Sequence, residues 1–377
     1  MFSRKDRLAR VALLLAALLV AGPCQAIDLN RFDQRFEALL QEDGVPGGAY
    51  AIVRGDQVVQ AAGHGVRTIG TASAVTPETV FRIASVSKPF AAHLTALLVD
   101  EGALSWDQPI REHVPEFTLA DTAHAEALEI QHLLGQSAGI VPNAYDNLLN
   151  ANQSLERILP QFARVESLCQ PGRCYTYQNV LFALIQPAIE ASTQTDYDEL
   201  LAERIFNPLN MHDSSTGLAA FRAAENRAVA HVRVSRRLPW IPATTNENYY
   251  RVAPAAGINA SARDLAQWLI AQLGHRPDVI ADAQIEAVTE ARVRTARELR
   301  RRAWRDLLSD AHYGLGWRIY QVGQDTLFLH SGWVRGFVAE VAYSRTRQLG
   351  LVVLLNAESR ALNRITTTFW REALAQP

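Results

Sequence analysis

Lysine is nearly missing from this sequence. Of 37 basic residues in a chain of 377, only Lys5 and Lys88 are lysines. Arginine meets solubility, ion-pair and helix-terminus roles equally well, so an arginine-biased chain can shed lysine from all of them. What arginine cannot do is give up its proton, whereas a desolvated amine can be neutral and act as a base. A lysine retained at position 88 therefore points to amine chemistry. The ten histidines form no H-E-x-x-H or similar cluster, and there is no phosphate-cradling glycine loop, so no metal or organic cofactor is implied. A net charge of −2 gives no electrostatic case for nucleic acid. The local exception, Arg297 to Arg305, is interleaved with Glu298 and Asp306 and is expected to be a solvated helix face.

Long apolar runs are also scarce. The one at Val11–Ala21 covers 11 residues, too short to span a bilayer. It follows Arg4, Lys5, Arg7 and Arg10 and precedes Cys24-Gln25-Ala26, the pattern of a secretory signal peptide covering residues 1–26. The expectation is a periplasmic or secreted protein with no stable membrane insertion after cleavage. Of three cysteines, Cys24 would leave with that peptide. Cys169 and Cys174 remain, and in an oxidising compartment such a pair is expected to form a disulfide.

What is present is ordinary globular composition, 48% hydrophobic and 20% charged, enough for one large core. Ala49–Arg54 and Gln57–Ala62 read as a hairpin turning at Gly55-Asp56. A helix opens at Ser85, another covers Ala262–Leu273 with Ser261 as N-cap, and a last one covers about Ala361–Leu374. Strand-like runs lie at Gly314–Val322, Thr326–His330, Val334–Tyr343 and Leu349–Leu355. Strands at both chain ends around a helical middle predict an α+β fold (an α/β sandwich). One antiparallel sheet is built from both termini and flanked by helices, with a mostly helical lobe inserted. On this reading residues 27–377 are one domain, with a sheet lobe at about 27–90 and 255–377 and a helical lobe at about 91–254.

Ser85-Val86-Ser87-Lys88 opens the first long helix. Residues three apart share a helix face, so the Lys88 amine can reach the Ser85 hydroxyl and take its proton. The helix N-terminus favours developing negative charge. Tyr177-Gln178-Asn179 follows a Gln170-Pro171-Gly172 turn; a tyrosine beside a cation can act as a base, and Asn179 offers a donor and an acceptor to a substrate amide. His330-Ser331-Gly332 ends a strand-like run. Gly332 would let a substrate backbone come close, while His330 and Ser331 could donate to a substrate carboxylate.

These three motifs, in this order, resemble those of the penicillin-recognising serine hydrolases, in the branch of class C β-lactamases, D-alanyl-D-alanine carboxypeptidases, D-aminopeptidases and esterases. The resemblance includes Gly47-Gly48, Phe81–Ala84, Tyr313–Trp317 and Gly336-Phe337, and so runs through nearly the whole mature chain. It implies Ser85 as nucleophile, Lys88 as base or proton shuttle, and Tyr177 as acid/base at the leaving group. It further implies Asn179 on the substrate amide, with the N–H groups of Ser85 and Trp333 as oxyanion hole. The substrate would be a small molecule, peptide or ester. Two departures stand out. His330 replaces the lysine of efficient class C β-lactamases and would be mostly neutral at pH 7, so carboxylate binding through it should weaken as pH rises through the imidazole range. Bulky Trp333 and Val334 should narrow the cleft. A non-turnover penicillin-binding or sensor module on the same fold is the alternative.

Overall fold

The computed structural model describes residues 28–235 and 237–375; the expected signal peptide and Cys24 lie outside them. Eight strands form one antiparallel sheet: β1 (Gly47–Arg54), β2 (Gln57–Gly65), β3 (Val293–Arg294), β4 (Asp310–Tyr313), β5 (Arg318–Val322), β6 (Asp325–Val334), β7 (Phe337–Ser344) and β8 (Leu349–Leu355). Their spatial order is β2-β1-β8-β7-β6-β5-β4-β3. The N-terminal hairpin thus joins the C-terminal strands through β1 against β8, with Gly48 opposite Leu355 and Arg54 opposite Leu349.

The central strands read as unbroken hydrophobic runs because both faces are covered. Along β1, Tyr50 and Ile52 enter one core with Phe32, Phe36, Phe369 and Trp370. Ala49, Ala51 and Val53 enter the other with Leu265 and Leu269. Helices α1 (Leu29–Asp43) and α4 (Ala361–Leu374) supply the first core, α2 (Ser87–Asp100) and α3 (Ala262–Gln272) the second. Local signals set the helix ends. Asp28 accepts from Arg31 N at 3.0 Å, Gly44 closes α1 at φ 62°, and Ser261 accepts from Asp264 N at 3.1 Å. Helix α2 is buried from Ser87 through Leu98, as a helix apolar all round must be. Residues between α2 and α3 form mostly short helices and turns. Among the described residues no helix is long and apolar enough to cross a membrane.

Three expectations change in detail. The run Gly314–Val322 is not one strand: it turns at Gly314–Trp317 and becomes strand only from Arg318. Strand β6 continues past His330 to Val334, so the hairpin reverses at Arg335-Gly336. The segment 297–305 is a short 3₁₀ turn followed by further turns. Its Glu298 faces inward, bonded to Arg301 and Arg318. A run of arginines with one glutamate looks solvated in sequence, but one carboxylate facing two guanidiniums is stable when turned in.

Candidate active site

The turn ahead of α2 is built to aim one side chain. Ala84 holds φ 50°, the left-handed region that non-glycine residues seldom enter. The 3₁₀ turn Ala84–Val86 carries Ser85 out of the core while its neighbours are buried. Ser87 staples this geometry: its hydroxyl donates to Ala84 O at 2.7 Å and accepts from Ile258 N at 3.0 Å. Strand β6 braces the turn from the other side. A Cβ on Gly332 would lie 2.0 Å from the Ile83 carbonyl oxygen, so Gly332 is required by the chain's own backbone. The sequence reading had given that space to substrate; the turn carrying Ser85 occupies it.

Lys88 lies one helical turn on, with no exposed surface. Its Nζ is 3.2 Å from Ser85 Oγ, 2.7 Å from Asn179 Oδ1 and 3.0 Å from Ala255 O. Burial pushes the ammonium pKa well below the ordinary lysine range; Asp146 opposes this and Arg318 adds to it. A neutral amine has two N–H donors and one lone pair. The two carbonyl-type oxygens can only accept, so they take the two donors, and the lone pair is left for the Ser85 hydroxyl.

Asp146 completes the chain behind the lysine. Asn179 Nδ2 donates to Asp146 Oδ2 at 2.7 Å, which requires the amide nitrogen on that side and so turns Oδ1 toward Lys88. The two segments are tied further by Asn143 N donating to Tyr177 O at 2.7 Å. Asn179 is thereby engaged at both ends of its amide, a tighter commitment than substrate binding alone. Nothing in the sequence pattern singled out Asp146, because it lies 31 residues before Tyr177 in an otherwise unremarkable turn.

Tyr177 sits beside the amine, its ring centroid 4.7 Å from Lys88 Nζ. Burial drives its phenol pKa up, moderated by a hydrogen bond with Ser85. With Lys88 neutral, no ammonium favours a phenolate, so Tyr177 rests as a proton-bearing phenol. Its segment is fastened by the Cys169–Cys174 disulfide, present as expected, and by Thr176 N donating to Gln136 O at 2.7 Å. Among the described residues, the guanidinium that stands by these rings is that of Arg318, 5.8 Å from the Tyr177 and Tyr313 ring centroids and 5.9 Å from that of Tyr175. Nothing in its sequence neighbourhood distinguishes it among 35 arginines.

The third motif divides between the two faces of β6. His330 points toward the site but is fully buried. Its Nδ1–H donates to Ser331 O at 3.0 Å, and Tyr313 O–H donates to Nε2, also at 3.0 Å. Burial first, and then the Arg318 guanidinium, hold the imidazole pKa well below its ordinary value. It is neutral through the physiological range, so the expected pH-dependent carboxylate anchor loses its titrating group. Ser331 points to the opposite face, where its hydroxyl donates to Glu340 Oε2 at 2.7 Å, and does not address the cleft. Trp333 is 50% exposed; its indole N–H donates to Glu358 at 2.7 Å. With Val334, Tyr249 and Asn150 it lines a surface cavity. Strand β5 begins opposite Leu329, so residues 330–334 of β6 have an open edge on that side while still pairing with β7.

The arrangement can deprotonate one hydroxyl, return a proton through a neighbouring phenol, and offer backbone donors along a strand edge. No group of three or more His, Cys, Asp or Glu among the described residues is placed to hold a metal.

Comparison with known proteins agrees with this geometry. The family described as Beta-lactamase matches residues 32–375. Penicillin-binding protein 4 of Amycolatopsis lactamdurans is 33% identical over 190 residues, 50% of this chain and 49% of that protein. This chain therefore spans about half the length of that relative. Among solved structures, the octameric penicillin-binding protein homologue from Pyrococcus abyssi superposes with a TM-score of 0.81 at 23% identity, covering 93% of this chain and 78% of that one. A class C beta lactamase from Rhodobacter sphaeroides gives 0.74 at 20% identity, covering 92% and 99%. At such identities the two structures speak to the fold alone.

Proposed function

The chain belongs to the beta-lactamase family, and from that premise we propose that it is a serine hydrolase working through an acyl-enzyme on Ser85. The observation that carries this is the coordination of the Lys88 amine. Two acceptor oxygens, of Asn179 and Ala255, consume its hydrogens, and Ser85 Oγ lies on the remaining side at 3.2 Å. The Ser85 O–H then donates to the nitrogen lone pair, and its oxygen attacks a carbonyl carbon as the proton moves to Lys88. The oxyanion is held by the backbone N–H groups of Ser85 and Trp333, each contributing roughly 3 kcal/mol at the transition state.

As the carbon–leaving-group bond breaks, Tyr177 gives its phenolic proton to the departing atom and recovers one from the Lys88 ammonium. A water molecule reverses the steps and frees Ser85. Lys88 is thus the base and Tyr177 the relay. The bonds cleaved are amide, ester or β-lactam, with the lack of a cation at 330 favouring esters and peptides over efficient β-lactam turnover. The Cys169–Cys174 bond supports work in an oxidising compartment, periplasmic or extracellular.

The test is intact-mass analysis with a fluorophosphonate, followed by turnover of nitrocefin, p-nitrophenyl esters and D-aminoacyl anilides. One adduct is expected, on Ser85, and absent in Ser85→Ala. Lys88→Arg places a permanently protonated guanidinium where the base must be neutral, and should lower kcat/KM by roughly 10²–10⁴-fold. No adduct, or a Lys88→Arg enzyme at full rate, refutes the proposal.

A further inference from the structure

The cleft that opens beside Tyr177 also exposes Asn143, Thr176, Arg318 and Glu298. Because Tyr177 serves the leaving group on the reading above, this is the side on which the departing half of a substrate lies. A charged leaving group would need a partner there, and the candidates can be taken in turn. Lys88 is a neutral amine with its hydrogens committed. His330 is neutral, its one N–H already donated to Ser331 O. Arg294 on the rim is paired with Asp310 at 2.9 Å, and Arg297 is exposed to solvent, where an ion pair is screened and weak. Arg318 alone combines low exposure with a position next to the Tyr177 ring.

Arg318 is already answered from within the chain. Its Nη1 donates to Glu298 Oε1 at 3.0 Å, with both side chains little exposed, at 15% and 13%. Glu298 Oε2 receives Arg301 Nη1 at 2.9 Å and the Tyr320 hydroxyl. Both carboxylate oxygens are therefore used. The carboxylate comes from the turn at 298–300, outside the sheet, and reaches inward past Arg297 and Arg300.

We infer that Glu298 is a built-in carboxylate neutralising the little-exposed guanidinium beside the Tyr177 ring, so that the enzyme selects substrates uncharged at that end. An incoming carboxylate would meet Glu298 at the same guanidinium, and must either displace its charge-assisted bond to Nη1 or take the remaining N–H groups beside a like charge. An ester or amide without that charge suffers neither cost. Glu298 is a specificity-determining residue here and takes no part in proton transfer.

This inference rests on the hydrolase reading, and the experiment separates the two. The matched probes are 4-acetoxybenzoate and its methyl ester, with each kcat/KM divided by the rate constant for hydroxide attack on the same compound. The wild-type enzyme should favour the methyl ester. Glu298→Gln keeps the shape, leaves Arg318 and Arg301 without their carboxylate, and should move the ratio toward the free carboxylate by about tenfold or more. Adding Arg318→Gln should erase that shift. A wild-type preference for the carboxylate form overturns the inference, as does an unmoved ratio in folded Glu298→Gln. If that variant does not fold, the wild-type ratio decides alone. Failure to hydrolyse either probe, together with no fluorophosphonate adduct on Ser85, sinks the hydrolase reading and this inference with it.

Discussion

Lys88 stores a cost that pH should reveal. Its folded pKa is pushed well below the ordinary value by burial, so between the folded and unfolded values the unfolded chain binds more protons at this site than the folded chain. Stability then rises with pH over that window, which ends at the unfolded lysine pKa of about 10.4. Buried tyrosines titrate the other way at high pH, so the informative quantity is the difference between wild type and Lys88→Met. Urea unfolding between pH 7 and 10 should show wild type gaining on the variant as pH rises; a constant difference would mean that Lys88 is charged in the folded protein. Asp146 offers a second check at this scale. Asp146→Ala removes the acceptor that fixes the Asn179 amide, freeing that amide to flip and present Nδ2 to Lys88. We expect kcat to fall roughly 10–100-fold with KM little changed. The acidic limb of the pH–rate profile should also shift, an effect that simple destabilisation would not produce.

Between elements, the decisive contact is β6 against the turn that carries Ser85, the proposed nucleophile. Gly332→Ala places a methyl group 2.0 Å from the Ile83 oxygen, and backbone on both sides cannot yield as a side chain would. The variant should lose about 1–3 kcal/mol by overpacking. It should also lose fluorophosphonate reactivity, since the strand edge and Ser85 are forced apart; full labelling rates would show that the strand is not a wall of the site. Much at this scale was legible in sequence. The β1–β2 hairpin, α3 with its Ser261 cap, and α4 each follow from local patterns of apolar spacing and turn chemistry. The errors fall where tertiary contact overrides such patterns. His330-Ser331-Gly332 reads as a strand end because Gly and Ser punctuate strands, yet β6 continues because Gly332 is needed for packing. Ser331 seemed addressed to substrate because spacing along one strand does not say which face a neighbour has claimed, and Glu340 claims it. Ser85, Lys88, Tyr177 and Asn179 were legible because their residue types are rare or chemically distinctive. Asp146, Arg318 and Glu298 were not, because an ordinary charged residue becomes notable only when the fold buries it beside a reactive group.

For the molecule as a whole, the sheet separates two cores with different duties. The face toward α2 and α3 carries the reactive residues, and the face toward α1 and α4 carries none of them. On that second face Phe32, Phe36, Tyr50, Phe369 and Trp370 form an aromatic cluster that fastens the two ends of the chain together. The division predicts that stability can be removed without touching chemistry. Trp370 is fully buried there, and Trp370→Ala should cost about 3–5 kcal/mol, read as a lower urea midpoint. Active-site titration with fluorophosphonate on the folded fraction should give wild-type kcat per titrated site, because α4 packs on β7 and β8, which lie between it and the other core, and the bracing of Ser85 comes from Gly332, Ser87 and Ile258. A fall in kcat per titrated site would mean that the sheet transmits strain from one core to the other, and that the two faces are one mechanical unit.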